Sequence, residues 1–279
     1  MTFLKKLATL LPTVFLVTVL TFLLTSLLPG DPALQVLGSA EPSAEAIHAV
    51  RDQLGLDKPL PVRYVHWLGG VLHGDFGRSF TTRQPVLQAI TERLPITLEI
   101  GFLALVFDLV LAVPLGVLSA YRADTRLDRG ISIASFGLLS IPSFMMALLL
   151  LTVFAVNLNV LPATGWVRLT ENPVLNLKSA ILPALSLGIG ELAVYTRLLR
   201  TDMIATLQED FVAMAKAKGL PTWRILFRHA LRPSSFSLLT IVGLQAGAII
   251  GGSVIVEQFF ALPGVGRLLY DSITKRDLI

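Results

Sequence analysis

The chain has 279 residues, 53% of them hydrophobic and only 15% charged, where an ordinary soluble domain carries about 25% charged residues. With a mean hydropathy of +0.71, that balance excludes a soluble enzyme, and the net charge of +4 belongs with a membrane surface before a nucleic acid. The absence of cysteine removes disulfides, thiolate metal sites, iron–sulfur clusters and cysteine catalysis together.

A helix needs about 20 apolar residues to cross a hydrocarbon core roughly 30 Å thick. Leu7 to Leu28 carries no charge. It reads as a retained first span, because it is too long for a signal-peptide core and lacks a small-residue cleavage site. Pro29 to Arg93 then reads as a soluble-looking extracytoplasmic segment that caps the bundle. In it Ile47, Val50 and Leu54 recur at helical spacing after Pro42 and Ser43, and Gly55 with Pro59 closes the helix. A second stretch, Tyr64 to Leu72, carries Tyr64 and Trp67, aromatics suited to the membrane–water boundary. His66, His73 and Asp75 invite a metal reading. Two histidines without a carboxylate at ligand spacing are weak evidence, and although Asp75 keeps the idea open as the lesser alternative, no metal site is assigned. His48 reads as an exposed helix residue.

Four further spans follow. Leu94 to Tyr121 has Glu99 near its entrance, Asp108 inside and a kink expected at Pro114. Ile131 to Asn157 has Pro142 near its middle, and Ser179 to Arg200 holds Pro183 and Glu191. Ser234 to Val256 is uncharged, with Gly243, Gly247, Gly251 and Gly252 offering another helix a close approach. Outside the long segment, Lys and Arg concentrate before the first span and in the connections Arg122–Arg129 and Arg197–Arg232. That bias puts the N-terminus in the cytoplasm. Five spans would leave the C-terminus outside, so a sixth is expected to be cut short at Ile279.

The connection from Thr201 to Pro233 is far longer than a turn. Asp202 to Lys218 reads as a helix stopped by Gly219, and Pro221 opens a second that runs through Leu231 and ends at Pro233. Ala213, Ala215, Ala217 and Gly219 are expected to keep one surface low, with Lys216, Lys218, Arg224 and Arg228 around it. A low surface rimmed by donors suits a groove in another protein. A solvated basic loop is the plainer alternative. A DNA-reading helix–turn–helix is disfavoured, because the flanking spans leave it little freedom to enter a major groove. G-x-x-x-x-G-K-[ST] occurs nowhere, so ATP is not bound by that route.

The stretch Phe211 to Pro233, FVAMAKAKGLPTWRILFRHALRP, resembles the cytoplasmic EAA loop of ABC-importer permease subunits, in the version of the dipeptide/oligopeptide permease family. Ala213, Met214 and Ala215 take the first three places, Gly219 the glycine, and His229 the later apolar place, so the leading Glu of the general loop is absent. LLPGDPA at Leu27–Ala33, RLPITLE at Arg93–Glu99, PLGVLSAYR at Pro114–Arg122, LPALSLG at Leu182–Gly188 and VIVEQFFALPGVGRLL at Val254–Leu269 agree in order.

The resemblance implies an all-α integral membrane protein, a type I ABC importer permease bundle with five spans and a sixth truncated where Arg276-Asp277 leads into the last helix. Residues 1–28 would hold the cytoplasmic end and first span, 29–93 the extracytoplasmic segment, and 94–279 the permease core with its coupling loop at 201–233. It implies a multi-pass protein of a bacterial or archaeal cytoplasmic membrane, pairing with a second homologous permease, two ATPase subunits and an extracytoplasmic substrate-binding protein. Short peptides would be the cargo, with nickel complexes or glutathione as alternatives. No catalysis and no cofactor belong to the chain itself. In the coupling loop Ala213, Ala215, Ala217 and Gly219 would permit close approach, Lys216, Lys218, Arg224 and Arg228 would fix the dock, Pro221 would set its angle, and His229 would belong to the same loop.

A charge at the bilayer centre costs roughly 2.5–3.5 kcal/mol on insertion scales. Asp108 and Glu191 should therefore face the interior, where they contact a substrate ammonium group or make an internal hydrogen bond or salt bridge. Reading them as the acid–base pair of an intramembrane enzyme leaves the coupling loop unexplained, and a passive channel needs no ATPase dock.

Overall fold

Long apolar runs with few breakers give a chain of helices, which satisfy their own backbone groups where water is absent. The computed structural model describes residues 3–27, 32–37 and 43–277, which hold helices and connections and no strand. Residues 28–31 of the Leu27–Ala33 motif, and Pro42, lie outside the described residues. The chain divides into two units, residues 1–92 with 271–279, and residues 93–270.

In the first unit α1 (Phe3–Leu27) precedes α2 (Pro32–Leu37), α3 (Ala44–Leu54) and α4 (Leu60–Leu72). The ends of α3 obey local chemistry. Ser43 Oγ accepts the Ala46 N–H at 3.2 Å, and Gly55 closes the helix in the left-handed region at φ +62°. Tyr64 and Trp67 pack α4 onto α1: the Tyr64 ring meets Phe15 and Phe22 edge-on, and its hydroxyl lies 2.9 Å from that of Thr18. Trp67 stacks at a tilt on Phe22, with ring centroids 5.8 Å apart. The aromatics expected at a membrane boundary thus join two helices. At the other end of the sequence, the Asp277 carboxylate accepts the Ser79 hydroxyl at 2.5 Å and the Phe80 N–H at 2.6 Å.

The second unit is built from α5 (Val86–Tyr121) beyond its first two turns, α6 (Arg126–Leu139), α7 (Ser143–Leu150, prolonged by a π-helix over Leu151–Asn157) and α8 (Pro173–Leu207). After them come α9 (Asp210–Ala217), α10 (Thr222–Arg224), a π-helix over Ile225–Ala230, α11 (Leu231–Phe259) and the start of α12 (Val265–Thr274), whose last residues fall in the first unit. Asn172 starts α8 by accepting the Val174 and Leu175 N–H groups, each at 3.1 Å, with Pro173 where an N–H would have no partner. One face of α8 is buried along its length, against α5, α6, α7 and α11. Glycines set the closest approaches. A methyl group on Gly116 would lie 3.1 Å from the Thr196 carbonyl oxygen, and one on Gly101 would overlap Ile249. Leu98, Phe102 and Val110 on the outer face of α5 are exposed, as befits a helix solvated by lipid.

Among the described residues four helices are long and apolar enough to cross a membrane: Leu10–Leu27, Val86–Tyr121, Pro173–Leu207 and Thr222–Phe259. Three expectations need correction. The stretch Ile131–Asn157 is apolar enough to count as a fifth span only as a broken one, since α6 and the Ser143–Asn157 arm meet at 101°. Pro142 lacks an N–H and pushes Ile141 away from helical geometry. The helix read as ending at Lys218 is broken at Gln208–Glu209, and the one read as ending at Pro233 runs on into α11. The π-helix just before Pro233 shifts the hydrogen-bond register, which lets the ring enter without breaking the rod.

Candidate functional site

The elbow made by α9, the turn at Gly219 and α10 stands out because its exposed face is apolar. Successive helix positions turn by about 100°, so Val212 and Ala215 point inward, where they pack with Ile225 and the half-buried Leu207 and Leu220. This corrects the expectation of one low alanine surface. Ala213 and Ala217 are exposed, but Ala215 is buried. Phe211, Met214, Trp223 and Phe227 are instead presented outward, with Met214 56% and Trp223 61% exposed. The alternating Ala–Lys pattern hid them, although large apolar residues at 211, 214 and 223 beside basic ones were there to be read.

The turn itself is fixed by backbone chemistry. Gly219 adopts φ +73°, its N–H donates to the Lys216 carbonyl at 2.9 Å, and the Leu220 N–H donates to the Ala215 carbonyl at 3.3 Å. Pro221 then takes the position before α10. Lys216, Lys218, Arg224 and Arg228 are all exposed around the apolar face, and the Arg224 guanidinium lies 5.5 Å from the Trp223 ring centroid. His229 is half-buried in the π-helix. Beneath the elbow lies a groove of about 530 Å³, lined among others by Tyr121, Ile204, Leu207 and Lys216.

The elbow is carried by a braced helix. On α8 the Arg200 guanidinium makes a two-pronged pair with Asp128 at the start of α6, and the Ser119 hydroxyl of α5 donates to the same carboxylate at 2.5 Å. At the far end of α11 sequence reasoning missed Glu257, which is fully buried. Its carboxylate accepts the Thr97 hydroxyl at 2.7 Å and the Arg267 N–H at 2.8 Å, while Gly264 and Gly266 leave room for it. The signal was a lone carboxylate closing an uncharged run, followed by two glycines.

Asp108 is buried and Glu191 half-buried, and the two line one small cleft in company with Tyr195 and Gln245. Arg197 is turned away from that cleft, its guanidinium 4.2 Å from the Phe136 ring centroid. His66, His73 and Asp75 do not come together as ligands. His73 Nδ1 lies 2.7 Å from the Gly69 carbonyl and Asp75 accepts the Gly77 N–H at 3.0 Å. Among the described residues no three His, Cys, Asp or Glu side chains are grouped to hold a metal.

Residues 112–279 match the family described as binding-protein-dependent transport system inner membrane component, and residues 1–101 match the model of the N-terminal part of such membrane components. The chain is 41% identical over 276 residues to a peptide transport system permease protein of Brucella abortus (strain 2308), covering 99% of this chain and 87% of that relative. It is 38% identical over 278 residues to the glutathione transport system permease protein GsiC of Salmonella typhimurium, covering 98% of this chain and 87% of the relative. The protein of that name from Pectobacterium atrosepticum is 39% identical over 279 residues, again covering 87% of its length.

Proposed function

This chain belongs to the inner membrane components of binding-protein-dependent transport systems, as an ABC importer permease of the peptide family, and we propose that it forms half of the pathway of an importer for dipeptides and oligopeptides. The observation that carries the reading is the elbow. An apolar face of Phe211, Met214 and Trp223, ringed by Lys216, Lys218, Arg224 and Arg228, projects between two membrane-crossing helices. Such a face is costly in water and gains by insertion into a partner's groove.

On this reading the partner is an ATPase subunit at the cytoplasmic surface, and the N-terminus lies on the same side. A second permease completes the pathway, and an external binding protein delivers cargo. ATP-driven closure of two ATPases draws the elbows together, and the spans rock as near-rigid bodies to open the pathway on alternate sides. The Arg200–Asp128 pair supports transmission, because it ties the helix that ends at the elbow to the start of α6. The chain's own part is to bind and move, with no covalent chemistry. Similarity to relatives named for glutathione transport favours a second reading in which the cargo is that peptide-like thiol.

The test is uptake into liposomes by the complex of both permeases and both ATPases, supplied with its binding protein. Labelled di- and tripeptides should accumulate against a gradient only with ATP, and glutathione in the same assay separates the two cargo readings. Equal fluxes with and without ATP would contradict the importer.

A further inference from the structure

Asp108 on α5 and Glu191 on α8 line one cleft of about 160 Å³. Asp108 is only 2% exposed. It is seated on the backbone of Gly188, where a methyl group would stand 2.6 Å from its Oδ1. The glycine is what admits a carboxylate to this interface. Among the described residues Asp108 Oδ1 and Glu191 Oε2 are buried with no hydrogen-bond partner. The basic side chains of α8 that follow are engaged elsewhere, Arg197 with the Phe136 ring and Arg200 with Asp128. The other walls, with Gly101, Ala104, Ala248 and Gly252, give space without countercharge. Two carboxylates sharing a low-dielectric cleft repel one another, and that repulsion is relieved by a shared proton or by a cation bound between them.

We propose that the Asp108–Glu191 cleft binds an alkylammonium group, and that its occupant is the free α-ammonium of the transported peptide. The second half of this statement rests on the importer reading above. An ammonium has three donors and no acceptor, which matches the acceptors that the Asp108 and Glu191 carboxylates and the Gln245 amide bring to the cleft lining. The cleft holds the ammonium and its first carbons but not a whole peptide. It therefore reads the terminus and leaves the side chains unread, as a carrier of varied peptides requires. The same chemistry could be supplied by a lysine of the second permease, and the test separates the two sources.

Because the chain has no cysteine, Ala248→Cys places one thiol on the cleft wall. In the full complex, its labelling by a neutral maleimide is followed with trialanine, with N-acetyl-trialanine and with neither, alongside ATP-driven uptake of trialanine. Trialanine should slow labelling at least fivefold, the acetylated peptide should not, and Asp108→Asn or Glu191→Gln should abolish the difference. Equal protection by the two peptides, or protection that survives both substitutions, would overturn the proposal while uptake continues. Loss of the second permease from complexes carrying Asp108→Asn would also overturn it, by assigning the cation to that subunit. Absence of uptake in the unsubstituted complex would instead remove the importer reading, and the cargo assignment with it.

Discussion

Arg200 holds Asp128 from two sides, Nε to Oδ1 and Nη2 to Oδ2, each at 2.6 Å. Asp128 also accepts the Ser119 hydroxyl and the Asp124 N–H, so one carboxylate joins α5, the α5–α6 turn, α6 and α8. These elements meet close in sequence to where α8 gives way to the elbow, so in the proposed coupling the brace would carry force on the elbow to several helices together.

Removing that brace should be felt as stability. Asp128→Asn keeps the shape but loses the charge, and Arg200→Lys loses the planar fork. Each should cost about 1.5–3 kcal/mol, the range for hydrogen bonds to charged groups. Thermal unfolding of the purified complex would show a lower midpoint. An unchanged midpoint in both variants would remove the brace from the account.

Glu257 should matter as a shaper of the turn between α11 and α12. Glu257→Gln sets an amide N–H₂ against donors that now meet a carboxylate, Thr97 and the Arg267 N–H. Gly264→Ala drives a methyl group into the Glu257 carboxylate. Both variants should become more sensitive to limited proteolysis near Phe260–Arg267, by at least several-fold in rate. Wild-type cleavage kinetics in both would contradict this role.

Much of this architecture was legible in the sequence because lipid imposes simple rules. Long apolar runs with few charges marked the helices able to cross a membrane, and Ser43 and Gly55 bounded α3 through side-chain and backbone chemistry that acts within a few residues. What escaped was set by registers and contacts between distant segments. The break at Gln208 has no proline or glycine to announce it. Pro233 looked like a stop, and only the π-helix before it explains why the helix continues. Ala215 resembled its neighbours Ala213 and Ala217 until packing against Ile225 separated them. Glu257 was passed over because Thr97, its partner, lies 160 residues away.

The exposed apolar residues of the elbow give a clean separation of binding from folding. Trp223→Ser and Met214→Ser alter side chains that face outward, so the subunit's own stability should move by no more than about 0.5 kcal/mol. Buried aromatic anchors at interfaces are worth about 2 kcal/mol or more. Affinity for the ATPase should therefore fall at least tenfold for Trp223→Ser, measured by titrating purified ATPase onto the permease pair. Unaltered affinity in both variants would move the dock elsewhere.

Gly219 tests the geometry of the turn. At φ +73° a β-branched side chain is disfavoured by about 1–2 kcal/mol, and nothing lies within 4 Å of an added Cβ to clash with it. Gly219→Val should therefore leave the spans folded and assembled while uptake per ATP hydrolysed drops several-fold. Full coupling in that variant would show that the turn's backbone is dispensable.

The central claim, that the elbow docks on an ATPase, is met most directly by a single thiol at Ala217→Cys, an exposed position on α9 in a chain with no other cysteine. In membranes holding the whole complex, a short bifunctional reagent should join it to the ATPase subunit, and the yield should change when ATP is bound. A thiol that reacts with small cytoplasmic reagents yet never crosslinks to the ATPase present beside it would contradict the account.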